Sequence, residues 1–496
     1  MSYLSELKDE IRAYFEILEP DFPKWLEEYI ETPALLRSAS ISNSCGMVYT
    51  NLIPSNFFYS NLDHSVAAAL IIWHFTRDQK QTLAGLFHDI STPVFKHCVD
   101  VMDGDGEKQE SLEELTLKFI EDSPEIMKLL ERNDIKLEEV SNYHIYPIAD
   151  NDSPRLAADR LEYSLSNALL LYNKLSLDEV REIYDDIEIG KNEDGLPELQ
   201  FKTKKNARKF VKVTCEMSII YRDERSRYST QFIVDILKNL SRDGVISRAD
   251  LFEKKESEII AIIEKSRYGD AFKTWRKAKR IETSKTKPDE VYSVRSSSKV
   301  RFIDPLVKGE RISKICKIAK GYIEKNLAYD MSDYIYLNLK MPESQNDKLR
   351  DFLINAKKAT YANKSALSIK ASRQSSTDYE YKDDDMVYHD TYFGGNNFMG
   401  EEIVYKGKEP VWGMNYYGRL LGSSDEIFGQ ILRPALMRVG ENATLPLRGP
   451  EEFIVNNYKY TFKTTGGLDE FSGVETIYAN ETKIYELVCH GGKIRK

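Results

Sequence analysis

The chain has 496 residues, 41% apolar and 30% charged, a globular mixture that excludes collagen-like and wholly disordered classes and suits two or three domains. Its 70 basic and 80 acidic side chains leave a formal net charge of −10, the reverse of what a protein coating duplex nucleic acid usually carries. No apolar run approaches the roughly 18 residues that span a bilayer. The start MSYLSELKDEIRAYF mixes in acids early, and the five cysteines are scattered without a CxxC pair. No membrane partner, secretion signal, disulfide framework or zinc ribbon is therefore expected, and the location expected is the cytoplasm.

In chain order, the first 330 residues read mostly as helix. Ile11 to Tyr29 repeats apolar residues at helical spacing, interrupted by Pro20 and Pro23. Leu62–Phe75, Thr82–Ile90, Leu112–Leu130 and Arg155–Leu175 carry apolar residues at i, i+3 and i+4. Gly190–Pro197 is turn-rich and predicts a surface hairpin or loop. Helical spacing returns over Ala207–Leu240 and Glu256–Arg280, and Val291–Ile303 predicts a short strand or an irregular segment. After about Lys370 the texture changes. ASRQSSTDYEYKDDD suits a linker or an exposed edge. Beyond it, glycine-tyrosine turns separate short aromatic and β-branched runs at Glu402–Tyr405, Phe453–Phe462 and Thr476–Val488, with one helix near Ile427–Val439. Trp412, Tyr416, Tyr417, Tyr458 and Tyr460 are available for a core there. The expectation is an α+β multidomain protein: a mostly helical domain over 1–330, a connecting segment over 331–378, and a small β-rich domain over 379–496.

Histidine is scarce, seven in all, yet His64, His74, His88 and His97 fall within 34 residues. His88 and Asp89 stand together in AGLFHDI, at the end of an apolar helix. A histidine–aspartate pair alone is most often a surface dipeptide. Its surroundings alter the weighing. His64 lies on its own apolar helix in LDHSVAAALIIWHF, and Asp159 on another in LAADRLEYSLSNAL. An aspartate in that setting is costly to bury unless it is paired or binds a cation.

These residues resemble the HD superfamily of metal-dependent phosphohydrolases, and most closely its deoxynucleoside triphosphate triphosphohydrolase branch. Ile30-Glu31-Thr32-Pro33 with Arg37 and Gly46 resembles that branch's opening IDTP…R…G segment. Leu62-Asp63-His64-Ser65 resembles FEHS, and Gly85-Leu86-Phe87-His88-Asp89-Ile90 resembles GLLHDIG. Phe95-Lys96-His97 with Asp100 resembles the FSH…D that follows, and Asp159-Arg160 with Tyr163 resembles the closing D-K-x-x-Y. The resemblance covers residues 25–330. It implies one divalent metal held by His64, His88, Asp89 and Asp159. His97 oriented by Asp100 would move protons, and Arg160, Tyr163 and Arg37 would contact substrate phosphate. Two imidazoles and two carboxylates suit Mn, Fe or Mg. The chain departs from the family at Thr92 and at Gln109-Glu110, where histidines are usual, and at Asn61, Leu62 and Asn43.

Arg222, with Arg225 and Arg227 in YRDERSRY, adds a further candidate for triphosphate contacts. His74 is mainly a structural candidate, and His144 could reach the site from NYHIYPIADND. Asp150 and Asp152 read as cap or turn residues. The basic runs Lys202–Lys212 and Lys273–Lys287 read first as solvated helical faces, with an electropositive mouth for nucleotide or single-stranded RNA as the functional alternative. The C-terminal GGNNFMGEE…PVWGMNYYG…RGP…HGG resembles a bacterial domain family of unknown function. The leading expectation is metal-dependent hydrolysis of a nucleotide or related phosphoester or phosphoanhydride, extending to a dNTP. The alternatives are a phosphodiesterase for cyclic nucleotides or RNA ends and a nucleotide-sensing module without turnover. Nucleic acid is the less favoured partner, and a homo-oligomer is compatible with the composition.

Overall fold

Pro20 and Pro23 interrupt the first apolar stripe where expected, and Asp9–Leu18 is followed by Lys24–Ile30. Proline lacks the donor that a helix interior needs and is tolerated at its first turn. Ser123-Pro124 likewise divides Thr116–Glu121 from Pro124–Arg132. The computed structural model describes residues 2–53, 57–102, 115–342, 345–422, 426–441 and 445–495. Gln109 and Glu110 lie outside the described residues. The fold is α+β: a helical N-terminal region and a C-terminal eight-stranded antiparallel sheet. Among the described residues no helix is long and apolar enough to cross a membrane.

The helix Asn61–Thr76 is the centre of the first core. Ser60 caps it, its Oγ accepting from Asp63 N at 3.0 Å while Asp63 Oδ2 accepts from Ser60 N at 2.8 Å. This reciprocal pairing satisfies two donors at the helix start. Every residue from Asn61 to Ile72 is buried, so the helix is enclosed rather than amphipathic. Asp78 caps the next helix, Gln79–Phe87, accepting from Lys80 N at 2.9 Å. Gly85 lets the two helices approach: a Cβ there would stand 2.2 Å from Ile72 Cδ1. The expected helix through Ile90 stops at Phe87, which leaves His88 at its C-terminal edge and Asp89 in the following turn.

Ala158–Ser166 runs on into a π-helical turn, Asn167–Leu171. The Gly190–Pro197 patch closes a hairpin between Ile187–Lys191 and Pro197–Phe201. Lys204–Ile220 and Glu224–Arg242 fill the next helical stretch. Of Val291–Ile303, only Ser293–Val294 pairs as strand, and the remainder is irregular.

The chain divides into two compact units, Met1–Ser241 with Val245–Pro342, and Glu343–Lys496 with Arg242–Gly244. The stretch 331–378, expected to be a connection, is shared between them. Tyr334–Tyr336 is the central strand of a three-stranded sheet in the first unit. Gln345–Ala359 is a helix of the second unit. Leu349, Phe352, Leu353 and Ala356 form one stripe on it and join that unit's core. Polar residues dominate this segment's composition, but the stripe keeps the 3.6-residue period, and burial follows the period.

The second unit's sheet is two four-stranded meanders joined at their long strands. Thr377–Asp383, Met386–Gly394, Asn397–Lys406 and Glu409–Leu420 form one; Glu452–Val455, Tyr458–Gly467, Glu470–Ala479 and Thr482–Lys493 form the other, and Glu409–Leu420 pairs with Thr482–Lys493. The polar 371–385 stretch supplies an edge strand, as a charged edge should. Trp412 and Tyr460 are fully buried, and Tyr416 is buried. Tyr417 is half exposed because alternation along its strand sends Trp412, Met414 and Tyr416 inward.

A fragment of residues 343–496 should therefore unfold cooperatively, whereas 379–496, lacking Phe352 and Leu353, should not. Circular dichroism melts of the two fragments check this; equal melting of both would remove the helix Gln345–Ala359 from the core.

Candidate metal centre

His64 sits one turn into its helix, and two hydrogen bonds fix the imidazoles at the centre. His64 Nδ1 meets the carboxylate of Glu162, and His88 Nδ1 lies 2.7 Å from Gly85 O. A carbonyl only accepts, so His88 Nδ1 carries the proton and its Nε2 presents a lone pair. The two Nε2 atoms lie 3.2 Å apart. Asp89 Oδ2 is 3.7 Å from His64 Nε2 and 3.8 Å from His88 Nε2. Asp159 Oδ1 is 3.3 Å and 3.7 Å from the same two atoms. Donors around an ion with bonds of about 2.1 Å stand roughly 3 Å apart when adjacent, so this set fits a single divalent ion. Its mixed nitrogen and oxygen character suits Mn, Fe or Mg.

The charges match that reading. Burial opposes ionisation of Asp89, but Lys96 and the two imidazoles outweigh it and hold the carboxyl well below its ordinary range. Asp159 is likewise held low, against burial, by His64 and His88. For His64, burial works against the cation, yet Glu162 and Asp159 push it up to about 10. Ionised carboxylates gathered beside the imidazoles favour a cation at this point, as a divalent ion would supply.

Glu162 and Lys96 were not legible as site residues. Glu162 is fully buried and accepts from Tyr59 Oη at 2.7 Å. It follows Asp159 by three residues, so one helix face carries both a donor and the group that orients His64. A glutamate between Leu161 and Leu165 was the available signal. Lys96 Nζ bonds Asp89 Oδ2 at 2.8 Å and Asn43 Oδ1 at 2.6 Å. It lies in a turn where Phe95 and Lys96 both have positive φ, 61° and 44°, a conformation that non-glycine residues hold only under constraint. The constraint is visible: Phe95 N donates to the buried Glu256 Oε2 at 3.0 Å, and Gly46, itself at φ 82°, leaves room for the Phe95 ring.

A cavity of about 950 Å³ opens on the donor set. His97 lines it with Nδ1 2.8 Å from Asp100 Oδ2. Desolvation, with Arg301 and Lys96, lowers the His97 pKa against that hydrogen bond. His144 also lines it, Nδ1 2.8 Å from Asp150 Oδ2. Tyr163 and Arg160 form part of the wall. The Arg160 guanidinium is held by Arg155 O at 2.8 Å and Asp150 Oδ1 at 3.1 Å.

Two expected phosphate contacts are corrected. Arg37 does not line the cavity; its Nη2 donates to Ile90 O at 3.2 Å and Thr92 O at 2.6 Å, bracing the turn after Asp89. Arg222 is fully buried, and its guanidinium serves Ser218 O and Asn326 O. In both cases backbone carbonyls that end a helix or turn take part of the guanidinium's donors. Arg225 pairs with Asp223. His74 pairs with Glu19 away from the cavity. The run Lys202–Lys212 is a helical face paired with Glu179, Glu182 and Glu216, and neither it nor Lys273–Lys287 lines the cavity.

Residues 390–494 match the family described as a domain of unknown function, DUF5680. The chain is 24% identical over 278 residues to the uncharacterized protein YdhJ of Bacillus subtilis, covering 55% of this chain and 82% of that one. It is 25% identical over 166 residues to the metal-dependent phosphohydrolase cns2 of Cordyceps militaris, covering 32% of this chain and 46% of that one. A crystal structure of a phosphohydrolase from Bacteroides thetaiotaomicron superposes with a TM-score of 0.44 at 14% identity, covering 63% of this chain and 96% of that one.

Replacing Glu162 by Gln should lower divalent-metal affinity by about 10–100-fold, through loss of the His64 orientation; titration with Mn followed by metal analysis measures it. A second expectation concerns Glu256, whose carboxyl burial pushes up to about 7 from an ordinary 4.5. Its raised folded pKa contributes stability that is fully present below pH 4.5, falls as pH rises to about 7 and is gone above. Glu256→Gln should remove that slope, gaining on the parent between pH 5 and pH 8 by at most about 3 kcal/mol. Denaturation midpoints of both proteins at the two pH values check it.

Proposed function

We propose that this chain is an HD-type phosphohydrolase that requires a divalent metal and acts on a nucleotide, with deoxynucleoside triphosphates within its range. The observation that carries the reading is the convergence of two imidazole Nε2 atoms and two carboxylates on one point beside a cavity large enough for a nucleotide. The similarity to the Cordyceps militaris metal-dependent phosphohydrolase supports the reaction class.

When bound, a divalent ion supplies Lewis-acid charge to a phosphoryl group and makes water more acidic. The remaining work falls to the chain. His64, His88, Asp89 and Asp159 would hold the ion, with Glu162 and Gly85 O fixing the two imidazole orientations. Lys96 steadies Asp89. His97, its Nδ1 tied to Asp100, presents the other ring nitrogen for holding or delivering a proton. Its lowered pKa keeps it neutral near pH 7 and able to accept one. Tyr163, four residues beyond Asp159, shares that helix face and can orient the substrate. His144 with Asp150 is a second imidazole–carboxylate pair on the cavity wall.

Purified protein with added Mn should hydrolyse members of a nucleotide panel, and Asp89→Ala should lose both metal and turnover. His97→Ala should keep its metal and lose roughly 10²–10⁴ in turnover. If His144→Ala shows that loss and His97→Ala does not, the proton-transfer role belongs to His144. A metal-loaded protein inert toward the whole panel would point to nucleotide sensing.

A further inference from the structure

The cavity has two chemically different walls. One is the donor set with its carboxylates. The other comes from a segment remote in sequence, Arg295-Ser296-Ser297-Ser298-Lys299-Val300-Arg301, every residue of which lines the cavity. Three cations and three hydroxyls in seven residues face the same space as the proposed metal. In a chain of net charge −10, that gathering is local.

The segment is pinned in place. Arg227 is buried, and its Nη1 donates to Ser296 O at 2.8 Å and Met331 O at 2.9 Å, while its Nε donates to Arg222 O at 3.0 Å. The Arg295 guanidinium packs 5.2 Å from the Tyr334 ring centre, on the small sheet. At the other end the Arg301 guanidinium stands 5.7 Å from the Tyr163 ring centre. Tyr163 lies about one helical turn, roughly 6 Å, beyond Asp159. The cationic strap therefore begins about one turn from the donor set and continues through Lys299 to Arg295.

A single phosphoryl group at the donor set would fill only the near end of this arrangement. A linear phosphate chain would reach further, placing successive anionic groups against Arg301 and Lys299, where serine hydroxyls and backbone donors add hydrogen bonds. We infer that the Arg295–Arg301 strap is an anion subsite for the phosphate chain of the substrate, and that it selects compounds with two or more linked phosphates over phosphomonoesters. The inference rests on the phosphohydrolase reading above and deepens it by naming the group that the far wall grips.

The test is equilibrium binding to the full chain in excess Mg, with tripolyphosphate and orthophosphate as probes. Tripolyphosphate should bind at least about tenfold more tightly, a preference that weakens as salt is raised. Lys299→Gln with Arg301→Gln should bring the two probes to within about threefold of each other. If the double variant does not fold, Lys299→Gln alone should reduce the preference. Equal affinity of the parent for both probes, or a variant that keeps the full preference, would overturn the subsite. Mn-dependent turnover of the nucleotide panel by the parent is measured in parallel. Absent turnover with the binding preference intact rejects the phosphohydrolase reading alone, while turnover with no preference rejects the strap alone.

Discussion

The Glu162 carboxylate is fully buried and ionisable, and such a group is stable only when its oxygens are bonded. Tyr59 satisfies one oxygen and His64 the other. The pairing ties the helix Ala158–Ser166 to Asn61–Thr76 through a polar contact inside an otherwise apolar core. It also settles the His64 ring orientation, so Nε2 faces Asp159 and His88. Packing of the core and geometry of the donor set are thus one constraint. Loss of the carboxylate would release the ring and strand the Tyr59 hydroxyl together.

Negative charge gathers around this contact. Asp89, Asp159 and Glu162 surround two imidazoles, and Lys96 is the fixed cation among them. The backbone cost of placing Lys96 there is met by the neighbouring Phe95, buried and anchored on Glu256. Arginines elsewhere in the unit divide by the same logic of satisfaction. Arg37 and Arg222 donate inward to backbone carbonyls. Arg227 does so as well, and in doing so positions the strap that carries Arg301.

The second unit holds its own buried charges. Arg448 and Glu475 form a bidentate pair, Nη2 to Oε2 at 2.8 Å and Nε to Oε1 at 3.2 Å, and the Tyr460 and Tyr485 hydroxyls also donate to Glu475. Lys357, from the helix Gln345–Ala359, pairs with Glu402 of the sheet. The Lys357 pair ties the covering helix to the sheet, and for both buried pairs desolvation offsets most of the attraction. The sheet's tyrosines serve this network as hydrogen-bond donors as well as packing groups.

Sequence by itself determined the helical and β-rich halves and the proline breaks, and the family resemblance of its motifs pointed to His64, His88, Asp89 and Asp159, which the fold brings together. It also indicated His97 with Asp100, a pairing of local i, i+3 spacing. Contacts between distant segments were another matter. Glu162, Lys96 and the 295–301 strap carry no short-range signature, and an arginine's partners depend on which carbonyls the fold leaves unbonded. The helix Gln345–Ala359 was hidden by its polar composition and revealed by its buried stripe. Periodicity is a property of neighbouring residues and is written in the chain; desolvation, ring orientation and the sharing of donors arise only once remote segments meet, so the tertiary structure alone decided them.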